Sequence, residues 1–134
     1  MNRILYKPCI PGTVGHGGSL QGEIRASFAD LKEMFGEPAF EGIGDKITTE
    51  FVIDYEYHDD LIDDTRYGGF TLYDWRFGRN LNDDTEEIIW NVGGRNFMDG
   101  VAADEAIRIF NDTDTRYGYD EAVLCHATWH DVAA

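Results

Sequence analysis

Two histidines near the end of the chain have a spacing that suits metal binding. His126 and His130 lie four positions apart, and Cys125 directly precedes the first of them. Residues four apart share a face on a helix and on a strand, so both imidazoles could contact one metal ion. The glutamate that supplies the general base in the zinc-hydrolase pattern is missing. The pattern is therefore more typical of two surface histidines, and we expect neither a metal nor another cofactor.

Acidic side chains are by far the most numerous charged groups. The chain has 26 acids and 11 bases, which gives a formal net charge of −15 at pH 7. Adaptation to solubility or high salt, chelation of metal ions, and imitation of a nucleic acid all explain such a composition. A nuclease with two metal ions needs converging carboxylates and normally a nearby lysine or histidine. These acids fall instead in predicted loops, away from the scarce lysines.

A charge of this sign repels nucleic acids and anionic membranes and attracts basic protein surfaces. We therefore predict a non-enzymatic binding protein that occupies a basic, nucleic-acid-binding site on another protein. If a meander places both acidic loops at one end of the sheet, their carboxylates form a single anionic patch. The expected partner contacts are Asp59, Asp60, Asp63, Asp64, Asp83, Asp84, Glu86 and Glu87.

A pocket for an anionic small molecule, such as a nucleotide signal, is the alternative. Eight of the 11 bases are arginines, which bind phosphate well. The candidate anion contacts are Arg66, Arg76, Arg79, Arg95 and Arg116. A metal-dependent enzyme built on His126 and His130 ranks third. Other catalytic motifs are missing from the sequence, because neither serine lies in a Gly-x-Ser-x-Gly turn and the glycine-rich GTVGHGG lacks a Lys-Ser/Thr ending.

Local patterns predict the elements that must position these groups. Ser27 is a suitable N-cap for a helix that Phe28 begins and that ends at the GEP sequence of 36–38. A second helix is predicted over 99–110. Strands are predicted over 20–25, 46–58, 70–77 and 88–94. We expect one α+β domain over 1–134: an antiparallel β-meander of about four strands with two helices packed on one face.

The ends of the chain and its cysteines suggest the compartment. A Gly/Pro-rich N-terminal arm is predicted over 1–19, and it lacks the apolar run of a signal peptide. No apolar stretch approaches the ~20 residues of a membrane helix. Cys9 and Cys125 are too few for a disulfide framework, so we expect reduced thiols in the cytoplasm.

The pentapeptide DTRYG occurs twice, at 64–68 and at 114–118. The sequences on either side of the two copies differ, so the repeat is not a duplicated module. Asp, Thr and Gly are turn formers, and we interpret both copies as the same turn chemistry used twice. The alternative is that two exposed Arg–Tyr tips flank one binding surface.

Four segments taken together resemble a group of small bacteriophage-encoded proteins of unassigned function. They are FADLKEMFGEP, GDKITTEFVI, FTLYDWR and IWNVGG, and the resemblance covers roughly 26–94. In that group a helix ending in FGEP precedes a Lys-x-Thr-x-Glu-Phe/Trp strand, a YDW or YDY strand and a Trp-x-x-Gly-Gly ending. The resemblance implies a viral accessory role in the host cytoplasm, such as inhibition of host defence or of a host nucleic-acid enzyme.

Overall fold

The computed structural model describes residues 2–8, 18–42, 48–75, 81–112, 123–125 and 129–132. Its β-strands are β1 Arg3–Pro8, β2 Ser19–Ser27, β3 Phe40–Glu41, β4 Thr49–Asp59, β5 Asp64–Tyr73, β6 Glu87–Gly94 and β7 His130–Asp131. The α-helices are α1 Phe28–Phe35 and α2 Phe97–Asp112, and a 3₁₀ turn lies at Val123–Cys125. All strands belong to one antiparallel sheet in the order β2-β6-β5-β4-β1-β7, with β3 beside the start of β4.

The prediction of a four-strand meander is wrong, because the sheet is curled and already has seven strands within the described residues. The largest omission is β1, which lies within the predicted arm. It pairs with β4 from Arg3 opposite His58 to Pro8 opposite Ile53. The nearby prolines and glycines favoured the prediction of an arm, because the strand that pairs with β1 comes about fifty residues later in the chain. Residues 9–17 of the predicted arm lie outside the described residues.

The first DTRYG copy is part of a strand, so the turn interpretation is wrong for it. Asp64–Gly68 begins β5 and pairs along its whole length with β4. The turn is formed by the four residues before it, where Asp63 has a φ of 48°. Asp59 Oδ1 accepts a hydrogen bond of 2.9 Å from the Leu61 N–H, which closes the turn locally. The second copy, at 114–118, lies outside the described residues.

The first predicted helix is confirmed together with its cap. The Ser27 side chain accepts a hydrogen bond of 3.0 Å from the Asp30 N–H, and the helix ends at Gly36, which has a φ of 87°. Glycine tolerates that φ without a steric penalty. The predicted alternation along β4 is also confirmed, since Phe51, Ile53 and Tyr55 are buried while the residues between them are partly exposed.

Both helices pack on the same face of the sheet, around an aromatic core. The Phe28 and Phe35 rings of α1 lie 5.8 and 6.1 Å from the rings of Phe51 and Phe70. The Tyr6 hydroxyl of β1 donates to the Ala102 carbonyl of α2 at 2.7 Å, which fixes the second helix against the same strands. Neither helix has the length and apolar character needed to span a membrane.

Candidate functional site

The eight predicted acidic contacts fall into two groups that lie at opposite ends of the sheet. Four lie in the hairpin between β4 and β5, at 59–64, and four lie at 83–87, before and at the start of β6. Asp64 begins β5 and Tyr73 ends it, so about 30 Å of strand separates the two connections, at ~3.3 Å per residue. The structure does not bring the two groups together into the single patch that we expected. Consecutive connections of an antiparallel meander alternate between its two ends, so the predicted strand order already implied that the two groups lie apart.

Two arginines partly neutralise the hairpin group, and a histidine lies beside it. Arg3 Nη2 lies 3.4 Å from Asp60 Oδ1, and His58 Nε2 lies 3.5 Å from the same oxygen. Arg66 Nε lies 3.8 Å from Asp64 Oδ2. These contacts reduce the negative potential at this end of the sheet, although exposed ion pairs of this kind add little to stability.

The other group forms what we call the acidic segment, which consists of Asp83, Asp84, Glu86 and Glu87. All four residues are exposed, and 81–87 contains no lysine or arginine. The Asp84 carbonyl accepts a hydrogen bond of 2.9 Å from the Ala29 N–H, which attaches the segment to the first turn of α1. The acidic segment is therefore an ordered, strongly anionic surface.

A local hydrogen-bond motif holds one carboxylate of the acidic segment in its charged form. Asp83 Oδ1 accepts from the Thr85 hydroxyl at 2.7 Å and from the Thr85 N–H at 3.0 Å. These bonds, the hydroxyl first, lower the pKa of the Asp83 carboxyl. Asp83 therefore stays ionised well below neutral pH.

The predicted arginines do not form one described cluster. Arg66 is exposed on β5, and Arg95 is exposed just before α2. Arg76, Arg79 and Arg116 lie outside the described residues. Of the two predicted arginines that lie within the described residues, only Arg95 lines the cavity described next.

An open cavity of about 480 Å³ lies where β5 passes the start of α2. Sequence reasoning missed it, and the only local signal was the pair Gly68–Gly69 inside a strand, where glycine often marks the close approach of a ligand or another backbone. The cavity is lined by Lys7, Asp54, Tyr55, Glu56, Tyr67, Gly68, Gly69, Arg95, Asn96 and Asp99.

The floor of the cavity is a buried carboxylate whose hydrogen bonds are satisfied. Asp99 is 2% exposed and accepts from the Tyr55 hydroxyl at 2.6 Å and from the Arg95 N–H at 2.7 Å. Asn96 caps α2 by accepting a hydrogen bond of 3.2 Å from the Asp99 N–H. Asp99 therefore fixes the first turn of α2 against β4 and β5.

The chemistry of the floor is that of a rigid support. Burial, together with the hydrogen bond to Asp99, raises the pKa of Tyr55. The phenol thus stays protonated at neutral pH and is a poor nucleophile or base. The Tyr55–Asp99 pair therefore holds the floor of the cavity in place.

The walls of the cavity carry more acids than bases. Lys7 Nζ forms an ion pair with a Glu56 carboxylate oxygen, and this hydrogen bond raises the pKa of Lys7. Asp54 and Asp99 also line the cavity, against Arg95 as the remaining base. This balance favours a cationic group over the anionic ligand that the arginines suggested.

Only one histidine of the predicted metal-binding pair lies within the described residues. His130 lies in β7, where its Nε2 is 3.3 Å from the Leu124 carbonyl, and His126 lies outside the described residues. Within the described ranges, no three His, Cys, Asp or Glu side chains are grouped so that they could hold a metal ion.

Cys125 is expected to resist alkylation in the folded protein. Burial raises the pKa of its thiol to about 12, so almost no thiolate forms near neutral pH. An ordinary cysteine, with a pKa of about 8.5, is about a quarter thiolate at pH ~8. We expect iodoacetamide to modify Cys125 at least about 100-fold more slowly in the folded protein than in denaturant, as followed by peptide mass mapping. Equal rates would show that the thiol is accessible and ionisable.

Comparison of the chain with family models, with curated proteins and with solved structures gives no match.

Proposed function

We propose that this protein is a non-enzymatic acidic inhibitor that occupies a basic, nucleic-acid-binding site on a host protein. The acidic segment carries this proposal, because it presents four exposed carboxylates within five consecutive residues on a docked, ordered surface. A closely spaced row of fixed negative charges is what a nucleic-acid backbone offers to such a site. The formal net charge of −15 supplies long-range attraction in the same direction.

Of the two predicted groups of acidic contacts, we propose only the acidic segment as the contact surface. Arg3 and Arg66 lie within 4 Å of hairpin carboxylates, and the four carboxylates of the acidic segment belong to exposed residues. The hairpin at 59–64 carries the same number of predicted carboxylates and therefore provides a control region for the effect of total charge.

Neutralising the acidic segment is expected to weaken the binding of basic DNA-binding proteins. We would combine Asp83→Asn, Asp84→Asn, Glu86→Gln and Glu87→Gln, which changes the net charge from −15 to −11. Against a panel of purified sequence-independent DNA-binding proteins, calorimetry should show an affinity at least about ten-fold lower than that of the parent, because close interfacial charge pairs are lost. Duplex DNA should displace the parent protein from the same partners.

A matched control separates this surface from the total charge. Asp59→Asn, Asp60→Asn, Asp63→Asn and Asp64→Asn together also give −11, at the opposite end of the sheet. This variant should keep its affinity within about three-fold, and parental binding should weaken steeply as salt rises. Equal losses in the two variants, or binding that is insensitive to salt, would contradict the proposal.

A further inference from the structure

We propose that the open edge of β5 binds an extended basic peptide segment of a partner protein as an additional strand. This edge, residues 64–69, lies at the other end of the sheet from the acidic segment. The inference is therefore independent of the proposed inhibitor function, and either one can fail alone.

The two sides of β5 are paired very differently. β4 pairs with β5 along its whole length, from Asp64 to Tyr73. β6 pairs with it only at 71–73, because β6 ends at Gly94 and the chain turns into α2. Within the described part of the chain, 64–70 thus has no strand on its second side. Alternate residues there direct their N–H and C=O groups away from β4, and such an edge is a template for another strand.

Residues 67–69 of this edge border the open cavity of about 480 Å³. Gly68 has no side chain, which leaves room for the Tyr55 hydroxyl and the Asp99 carboxylate at the floor of the cavity. Arg95 and Asn96, just before α2, also line the cavity. The cavity thus runs beside the unpaired edge and can receive side chains from a strand that docks there.

One exposed aromatic side chain lines this groove. Tyr67, on β5, is 77% exposed. Aromatic residues of this exposure are unusual on an ordinary surface and are enriched where partners bind. The tyrosine ring can also stack against an arginine side chain of the incoming strand.

The charge of the groove selects a basic occupant. Its lining contains Asp54, Glu56 and Asp99 against Lys7 and Arg95, and the whole chain carries −15. An acidic peptide would be repelled both by the local carboxylates and by the long-range field of the negatively charged protein. A strand with arginine at alternate positions presents its cations on one face, towards Asp54 and the tyrosine ring.

A nine-residue peptide of alternating arginine and threonine is a suitable probe for the full-length, ¹⁵N-labelled protein. We expect chemical-shift changes and slowed amide exchange concentrated at 65–69, with nuclear Overhauser contacts to the peptide backbone. The same peptide with proline in place of every threonine keeps all the charges but loses alternate N–H donors. It should bind at least about ten-fold more weakly, because strand pairing is lost. Equal affinity of the two peptides overturns the proposal.

Two protein variants provide the second arm of the test. Tyr67→Ala should weaken binding of the arginine–threonine peptide about ten-fold. Leu61→Ala, on the adjacent turn and 92% exposed, should leave it unchanged. The variant with a neutralised acidic segment should also retain this peptide, which separates the edge from the proposed inhibitor surface. Shifts confined to 83–87, or no shift at a peptide concentration of about 1 mM, overturn the proposal.

Discussion

Asp99→Ala is expected to lower the free energy of unfolding by about 3–5 kcal/mol. The carboxylate accepts hydrogen bonds from the Tyr55 hydroxyl and the Arg95 N–H, and it lies in the first turn of α2. Removing it leaves a buried phenol without its acceptor and takes a favourable negative charge from the helix N-terminus. Urea denaturation followed by circular dichroism measures the loss.

Two further substitutions make that result specific. Asp99→Asn keeps one oxygen acceptor and should lose about half as much stability as the alanine variant. Asp104→Ala removes an exposed acid from the same helix and should stay within about 0.5 kcal/mol of the parent. If Asp99→Ala were no more costly than Asp104→Ala, the Tyr55–Asp99 contact would not hold α2 against the sheet.

Gly68→Ala is expected to destabilise the protein by about 2–4 kcal/mol, through a clash inside the sheet. A Cβ at this position would lie 2.5 Å from Tyr55 Oη and 2.9 Å from Asp99 Oδ1. The added methyl group must therefore displace the phenol from its hydrogen bond or push β5 outwards. The DTRYG motif thus needs glycine here because of packing, since Gly68 is not among the described glycines with positive φ.

A double-mutant cycle tests this cause. Tyr55→Phe removes the atom that the new methyl group would meet, so Gly68→Ala should cost at least about 1 kcal/mol less in that background. Arg66→Ala, an exposed change two positions earlier in the same strand, should stay within about 0.5 kcal/mol of the parent. Additive losses in the cycle would point to backbone strain in place of the clash.

If both proposals hold, the molecule has two functional ends of different character. The acidic segment acts through charge, so its binding should decay with salt. The edge of β5 acts through backbone pairing, which is directional and less sensitive to salt. One partner with a basic surface and a flexible basic tail could engage both ends, and the two contacts would then reinforce each other by raising the effective concentration.

Elements whose signals are local could be predicted from the amino-acid sequence. The Ser27 cap and the helical spacing of apolar residues in α1 predicted that helix, because both depend on neighbours three or four positions away. The two-residue alternation of 49–58 predicted the buried face of β4 for the same reason. Charge composition needs no structure, so the acidity of 83–87 was also known.

Contacts between residues far apart in the chain could not be predicted in this way and are seen only in the folded protein. The strand role of β1 depends on pairing with β4 some fifty residues later, and no local pattern near its prolines reports that pairing. Asp74 shows the same limit, because its full burial depends on the hydrogen bonds that its carboxylate accepts from the Thr48 and Thr49 N–H groups. The cavity exists because β6 ends at Gly94 and leaves part of β5 uncovered. Such contacts form only when the whole sheet has assembled, because the residues involved become buried only when every strand is in place.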